Sequence, residues 1–277
     1  MAEVRNKKLI LRDYVSGFPK QSDMSVTTDS TIKLKLQQHS KGVLLKNLFL
    51  AADPHLRPLM KKSDNFSVLQ SFTPGSALFG FGVAKIVDSK HPDFKEGDYV
   101  WGITGWEEYT VVTATETLFK IQHTDVPLSY YTGILGMPGL TAYAGFYDVC
   151  APKRGENVFI SAAAGAVGQL VGQFAKLAGC YVVGSVGTQD KYTLDEPEGV
   201  KNVASIIYKR IRMQGYNVVD YYKEYPKFLE MILPYIREGK IVCVEDIVEG
   251  LENGAEALVR VFSGRNIGKQ LVSLAIE

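Results

Sequence analysis

The chain has 277 residues, of which 46% are hydrophobic and 22% are charged. This composition is ordinary for a globular protein, and the length is enough for one or two domains with a sizeable core. The 31 Lys and Arg residues and the 30 Asp and Glu residues leave a formal charge of +1, which argues against binding nucleic acid through a bulk basic field.

The chain carries no apolar run of the ~20 residues that span a bilayer, and its first residues lack the apolar block of a secretory signal. Cys150, Cys180 and Cys243 lie far apart, so they predict neither a disulfide framework nor a zinc knuckle. We therefore expect a cytoplasmic protein that has no membrane and no nucleic acid as a partner.

The first 120 residues are typical of β-strands. Ile32, Leu34 and Leu36 alternate with lysines, which predicts a half-buried strand. The run Val43–Ala51 mixes apolar and polar positions and ends at an Asp-Pro turn signal, and residues 106–115 are rich in Val, Thr and Tyr. Turn residues recur between these runs. The pattern predicts an antiparallel, partly closed β domain.

The pattern changes near residue 127. Residues 128–149 are apolar at helical spacing, with an interruption at Pro138 and Gly139. Beyond residue 156, strand and helix signals alternate, which indicates a parallel α/β arrangement. Further elements are predicted near the end of the chain: helices at 199–212 and 220–238, a strand at 241–244, a helix at 247–261 with Asp246 as its N-cap, and a strand at 270–275.

The strongest local signal is the sequence NVFISAAAGAVG at 157–168. A strand at 158–160 enters a turn of small residues, a helix at 169–178 leaves it, and a second strand, Tyr181–Gly184, follows. This order is that of a dinucleotide-binding unit, in which small residues let the pyrophosphate approach the backbone at a helix N-terminus. Gly165 and Gly168 take the second and third glycine positions. The alternative is a helix that packs tightly on a sheet and holds no ligand.

The end of the second strand indicates which dinucleotide is bound. An NAD site usually places Asp or Glu there, on the ribose hydroxyls, but this strand ends in Gly-Ser-Val-Gly. Lys191 follows and is placed to meet a 2′-phosphate, so the sequence favours NADPH over NADH. Asp190 points mildly the other way, and a solvated surface charge is the alternative role for Lys191.

The remaining residues narrow the chemistry. His39, His55, His91 and His123 show neither i,i+4 spacing nor a nearby cysteine, so no metal site is predicted. The chain has no GxSxG elbow and no lysine of a phosphate-binding loop after the glycine turn. These absences leave hydride transfer from a nicotinamide without a metal, with tyrosine as the favoured side-chain acid.

Several long segments resemble a known family, the plant NADP-dependent alkenal double bond reductases of the zinc-independent medium-chain dehydrogenase/reductase superfamily, which include pulegone reductase-like enzymes. They are DYVSGFP at 13–19, WEEY at 106–109, DVPLSYYTGILGMPG at 125–139, the glycine turn, IYKRIRMQG at 207–215 and GRNIGKQ at 264–270. The resemblance implies a homodimer that uses NADPH to saturate the α,β-double bond of enals and enones.

The resemblance also implies an α/β fold of two domains. Residues 1–125 form a GroES-like substrate domain, residues 126–262 form a Rossmann domain that binds NADP, and residues 263–277 return as a strand to the substrate domain. The Rossmann domain is expected to be internally truncated, because Lys191 joins directly to Tyr192 where the family carries further strands and helices. About 120 residues remain after the first fingerprint strand, whereas a six-stranded doubly wound domain takes about 150.

The site residues follow from the resemblance. Tyr192 corresponds to the candidate proton donor of the family, and a surface tyrosine is the alternative. His55 and Phe81 replace two pocket tyrosines and are expected to alter how the substrate is oriented. The resemblance also implies which residues bind the cofactor. Met137 and Pro138 are expected at the nicotinamide, and Gly187 and Lys191 at the 2′-phosphate. The residues expected at the pyrophosphate are Ala163, Gly165, Ala166, Val167 and Gly168, and Asn266 of the tail motif is expected to contact the cofactor as well.

Two alternative functions stay open from the sequence. The missing segment allows a remnant of the family that binds nucleotide weakly and does not turn over. The fold itself allows a quinone or carbonyl reductase, because a fold does not determine its substrate.

Overall fold

The computed structural model describes residues 3–62, 70–186 and 202–274. The chain forms two compact units. Unit 1 comprises Met1–Met137 and Cys243–Glu277, and unit 2 comprises Pro138–Val242. The expected domain boundaries after residues 125 and 262 stay a prediction, because a compact unit need not coincide with a domain of one fold.

The strands of the described residues are β1 (Glu3–Arg5), β2 (Lys8–Leu11), β3 (Met24–Thr27), β4 (Thr31–Lys33), β5 (Val43–Ala51), β6 (Phe79–Ser89), β7 (Tyr99–Gly105), β8 (Tyr109–Val112), β9 (Leu118–Lys120), β10 (Asn157–Ile160), β11 (Tyr181–Gly184), β12 (Glu245–Glu249) and β13 (Lys269–Ser273). The α-helices are α1 (Leu56–Leu59), α2 (Met137–Tyr143), α3 (Gly168–Leu177), α4 (Ser205–Lys209), α5 (Tyr225–Arg237) and α6 (Gly254–Phe262). A π-helix, Ala144–Cys150, follows α2, and 3₁₀ turns occupy Gln21–Asp23, Thr115–Thr117, Leu128–Thr132, Val218–Glu224 and Leu251–Asn253.

A seven-stranded sheet forms the centre of unit 1. Its order is β12-β13-β5-β6-β7-β9, and β8 pairs with β5. All of these pairs are antiparallel except β12 with β13. Strand β5 is buried on both faces because it is central, and its Val43 and Leu45 pack with Ile86 and Val100 in one apolar cluster. The predicted antiparallel β domain is confirmed.

Unit 2 contains a smaller parallel sheet. Strands β10 and β11 pair over four residues each, and helix α3 connects them. Phe174 on α3 is fully buried against Phe146 and Tyr147 of the π-helix, with ring centroids 6.3 and 5.7 Å apart. The predicted strand–turn–helix–strand order is therefore present in the structure.

Two predicted elements near the end of the chain are wrong. Residues 241–244 form no strand, and Asp246 caps no helix because it lies within β12. Strand β12 pairs in parallel with β13, so a tertiary partner decides the conformation of residues 245–249. The helix begins only at Gly254, in α6.

The predicted helix at 128–149 is also different in the structure. A 3₁₀ turn, Leu128–Thr132, comes first, and α2 begins at Met137. Pro138 does not interrupt this helix, because it lies in the first turn, where no backbone N–H donor is needed.

Candidate functional site: a glycine turn and a buried His turn

The glycine turn lies between β10 and α3, in unit 2. Ala162 has a positive φ of 49°, which turns the chain sharply after the strand. A Cβ atom on Gly168 would lie 2.3 Å from the carbonyl oxygen of Ala162, so the helix can begin here only with glycine. At Gly165 the same distance would be 3.2 Å.

The turn fits an anionic group through its backbone. In the part of the chain that the structure describes, the N–H groups of Ala166, Val167 and Gly168 donate no backbone hydrogen bond. These free donors lie at and just before the N-terminus of α3, where they add to the positive end of the helix dipole. A pyrophosphate is the part of a dinucleotide that such a donor set holds, so the residues present fit the dinucleotide that the sequence predicts.

A second set of predicted residues lies in unit 1, at the turn that follows β5. The ring of His55 meets Phe81 of β6 edge to face, with centroids 5.6 Å apart. Its Nε2 atom is buried and has no hydrogen-bond partner among the described residues. Burial lowers the pKa of His55; Asp53 opposes this shift and Lys269 adds to it. Burial and Lys269 therefore favour the neutral imidazole, and the described residues leave the hydrogen-bonding capacity of its Nε2 unused.

The tail motif at 264–270 is held within unit 1. Asp246 accepts hydrogen bonds from Arg260 at 2.8 Å and from the backbone N–H of Ile267 at 3.2 Å. The side-chain amide of Asn266 donates to the carbonyl of Gly268 at 2.8 Å. These bonds stabilise the loop from which β13 begins.

Sequence reasoning missed a buried polar cluster beside this loop. Lys269 and Asp53 form an ion pair, with 2.6 Å between Nζ and Oδ1, although their side chains are only 1% and 4% exposed. Glu245 accepts a hydrogen bond from Ser129 at 2.9 Å, and burial raises its pKa. Burial, together with Glu245, raises the pKa of Cys243 to about 12, so this thiol stays protonated. The lysine of the tail motif, Lys269, was the signal in the sequence that could have indicated this cluster. A sequence does not show, however, that a lysine is buried.

The structure places the predicted site residues in separate groups. Unit 1 holds His55, Phe81, Met137 and Asn266, and of these His55 and Phe81 are in contact. Unit 2 holds Pro138 and the turn residues Ala163, Gly165, Ala166, Val167 and Gly168. Gly187, Asp190, Lys191 and Tyr192 lie outside the described residues.

The described residues contain neither a metal-binding cluster nor a membrane-spanning helix. In the ranges 3–62, 70–186 and 202–274, no group of three or more His, Cys, Asp or Glu side chains could hold a metal ion. In the same ranges, no helix has both the length and the apolar character that crossing a membrane requires.

Comparison with known proteins defines the class. Residues 7–121 match the family description "N-terminal domain of oxidoreductase". The crystal structure of CurA from Vibrio vulnificus aligns with 98% of this chain and 99% of its own, at a TM-score of 0.84 and 25% identity. CurA in complex with NADPH aligns at a TM-score of 0.83, over 98% of this chain and 100% of its own. Fold and turn are those of a medium-chain dehydrogenase/reductase, with a β-rich domain and a Rossmann-type unit.

Relatives of higher identity define the family. The chain is 48% identical to a 2-alkenal reductase (NADP(+)-dependent) of Nicotiana tabacum, over 99% of both chains. It is 44% identical to a (+)-pulegone reductase of Mentha piperita, over 99% of this chain and 100% of the relative. The chain belongs to this family of NADP-dependent alkenal and enone double bond reductases. The alignments run over 342 and 343 positions, so both relatives contain residues that have no counterpart here.

Proposed function

We propose that this protein is an oxidoreductase that uses NADPH to reduce the α,β-double bond of 2-alkenals and enones. The observation that carries the proposal is the glycine turn, where free backbone donors meet a helix start that admits no side chain at Gly168. The near full-length identity to two double bond reductases supports the choice of reaction.

Each group of residues has a distinct task in this reaction. The N–H groups of Ala166, Val167 and Gly168 bind the pyrophosphate. NADPH, when bound, supplies the hydride that reduces the β-carbon. His55 donates a hydrogen bond to the carbonyl oxygen of the substrate, on which negative charge develops, and Phe81 excludes water beside it. Tyr192 or water donates the proton that the α-carbon receives.

The other site residues belong to this proposal through the family resemblance. Met137, Pro138 and Asn266 are proposed to contact the nicotinamide half of the cofactor. Gly187 and Lys191 are proposed to bind the 2′-phosphate. We also propose a cytoplasmic homodimer; three cysteines that are free in the structure are in keeping with a reducing compartment.

The first test is a fluorescence titration of the purified protein with NADPH, followed by incubation with a 2-alkenal and analysis of the product. A saturated aldehyde is the expected product, whereas an allylic alcohol would indicate reduction of the carbonyl group instead. Binding without turnover would identify a non-catalytic remnant of the family. That alternative is favoured by the apolar side chains that the short sheet of unit 2 leaves exposed.

The choice of cofactor has its own test. Lys191→Ala removes the cation that we propose for the 2′-phosphate, so the affinity for NADPH should fall about tenfold or more while the affinity for NADH stays the same. Both dissociation constants are measured by fluorescence titration. An equal loss for both cofactors would remove this role from Lys191.

A further inference from the structure

Lys269 is a buried cation of unit 1, with 1% of its surface exposed. Its ammonium contacts Oδ1 of Asp53 at 2.6 Å and the carbonyl oxygen of Ala52 at 3.5 Å. Its aliphatic stem packs against Gly133, where a Cβ atom would lie 3.1 Å from Cγ of the lysine. The lysine is therefore held along its stem as well as at its charged end.

The ion pair forms where β5 ends and the His55 turn begins. Strand β13 pairs antiparallel with β5, and the N–H of Ala52 donates to the carbonyl of Gln270 at 3.1 Å. One residue further on, the side chain of Asp53 meets Lys269, and its backbone carbonyl accepts from the N–H of Leu56 at 3.1 Å. Asp53 thus connects β13 to the backbone of the turn that carries His55.

The charges around the turn depend on the same lysine. Among the described residues, the charges that act on His55 are those of Asp53, on its own turn, and Lys269, on β13. Lys269 also faces Glu245 of β12 and Cys243, and it lowers the pKa of both against the effect of burial. The second oxygen of Asp53, Oδ2, is buried without a hydrogen-bond partner among the described residues. Loss of the lysine would leave a buried carboxylate without its cation beside the imidazole.

We propose that Lys269 is a positioning residue, which acts through Asp53 to hold the His55 imidazole in the orientation that binds the carbonyl oxygen of the substrate. The inference rests on the proposed function, because it assigns His55 to the substrate. It also gives the tail motif a second task. Asn266, three residues before Lys269, is proposed to contact the cofactor, whereas Lys269 helps to position the residue that binds the substrate.

The test compares Lys269→Met with Lys269→Arg and with Lys120→Met. The arginine variant keeps the charge. Lys120 forms an ion pair of 2.8 Å with Asp98 at partly exposed positions, so its loss should leave the reaction unchanged. In Lys269→Met, kcat/KM for the enal should fall about ten- to a hundredfold, because a displaced His55 imidazole would no longer orient the carbonyl group of the substrate. The Kd for NADPH should stay within about twofold, and Lys269→Arg, which keeps a cation beside Asp53, should recover part of the loss.

Proton NMR of the histidines supplies a readout that a merely structural lysine would not affect. The His55 signal is identified by its loss in His55→Gln. Its titration midpoint should rise in Lys269→Met, because a cation is removed, and should fall in Asp53→Asn, because an anion is removed. Addition of an enone should shift the His55 signal in the wild-type protein and in Lys269→Arg, but not in Lys269→Met.

The outcomes separate the two proposals. If the wild-type protein reduces no enal, the proposed function fails, while the shift of the His55 signal with enone still decides the role of Lys269. Lack of that shift in the wild-type protein overturns the inference. Unchanged kcat/KM in folded Lys269→Met overturns it as well. If Lys269→Met does not fold, the double variant Asp53→Asn with Lys269→Met, which buries no unpaired charge, takes its place with the same expected loss of kcat/KM.

Discussion

At the scale of single residues, the glycine turn shows how close contacts select an amino acid. Gly168 is required because the carbonyl of Ala162 lies where a Cβ atom would stand. This steric reason is what the third glycine of the sequence pattern expresses, so Gly168 was predictable, whereas at Gly165 a Cβ atom would lie 3.2 Å from the same oxygen. Lys269 and Asp53 were not, because their meaning depends on a contact between residues 216 positions apart in the sequence.

Gly165→Asp tests the turn as an anion site. The new carboxylate would face the donors that we propose for the pyrophosphate, so repulsion should lower the affinity for NADPH at least about a hundredfold. Gly172→Ala, on the helix α3 that follows the turn, is the matched control, since its Cβ would make an ordinary contact of 3.6 Å with Ile160. Fluorescence titration measures both variants. Unchanged affinity in Gly165→Asp would show that the cofactor binds elsewhere.

At the scale of elements, the two-stranded sheet of unit 2 differs from the sheet of unit 1. Phe159 on β10 is 68% exposed, and Tyr181 and Val183 on β11 are 67% and 46% exposed. Such side chains are typical of strands that further layers cover in a complete α/β domain. The relatives contain residues that this chain lacks, and the truncated Rossmann domain that the sequence predicts explains why these faces are uncovered.

Two phenylalanine substitutions in unit 2 test the contrast between an exposed position on β10 and a buried position on α3. Phe159→Thr should change the free energy of unfolding by less than about 1 kcal/mol, because little apolar area is lost and threonine suits a strand. Phe174→Ala, which empties a fully buried site on α3, should lower it by about 3 to 5 kcal/mol. Urea unfolding followed by circular dichroism measures both. Equal losses would mean that Phe159 is buried in solution, by a partner or a second copy.

At the scale of the whole molecule, carboxyl groups with raised pKa values and carboxyl groups with lowered pKa values have opposite effects on how stability depends on pH. Burial raises the pKa of Glu245 and that of Glu107. The hydrogen bond with Lys120 lowers the pKa of Asp98. Groups of the first kind bind protons more tightly in the folded state, so they add stability as the pH falls. Groups of the second kind lose their stabilisation as the pH falls through their lowered pKa.

Glu245→Gln isolates one contribution of the first kind. The amide can still accept the hydrogen bond from Ser129 but carries no buried charge, so the variant should be more stable than the wild-type protein at neutral pH. This advantage should shrink as the pH falls through the raised pKa and should be gone below the usual range of glutamate. Glu249→Gln, at an exposed position of the same strand, is the control. The stability of all three proteins is measured by thermal unfolding between about pH 3 and about pH 8, which spans the usual titration of carboxyl groups. An advantage independent of pH would contradict the buried-charge explanation.

The sequence alone determined the features that depend on neighbouring residues. A run of apolar and polar residues that ends at a turn signal predicted strand β5 to the residue, and small residues between two apolar runs predicted the glycine turn. Tertiary structure decided the rest. Residues 245–249 became a strand because β13 lies beside them, although their local pattern is compatible with a helix. The ion pair of Lys269 with Asp53 likewise exists only because β13 and β5 meet, and burial, which no local pattern encodes, then gives the charges their effect on His55.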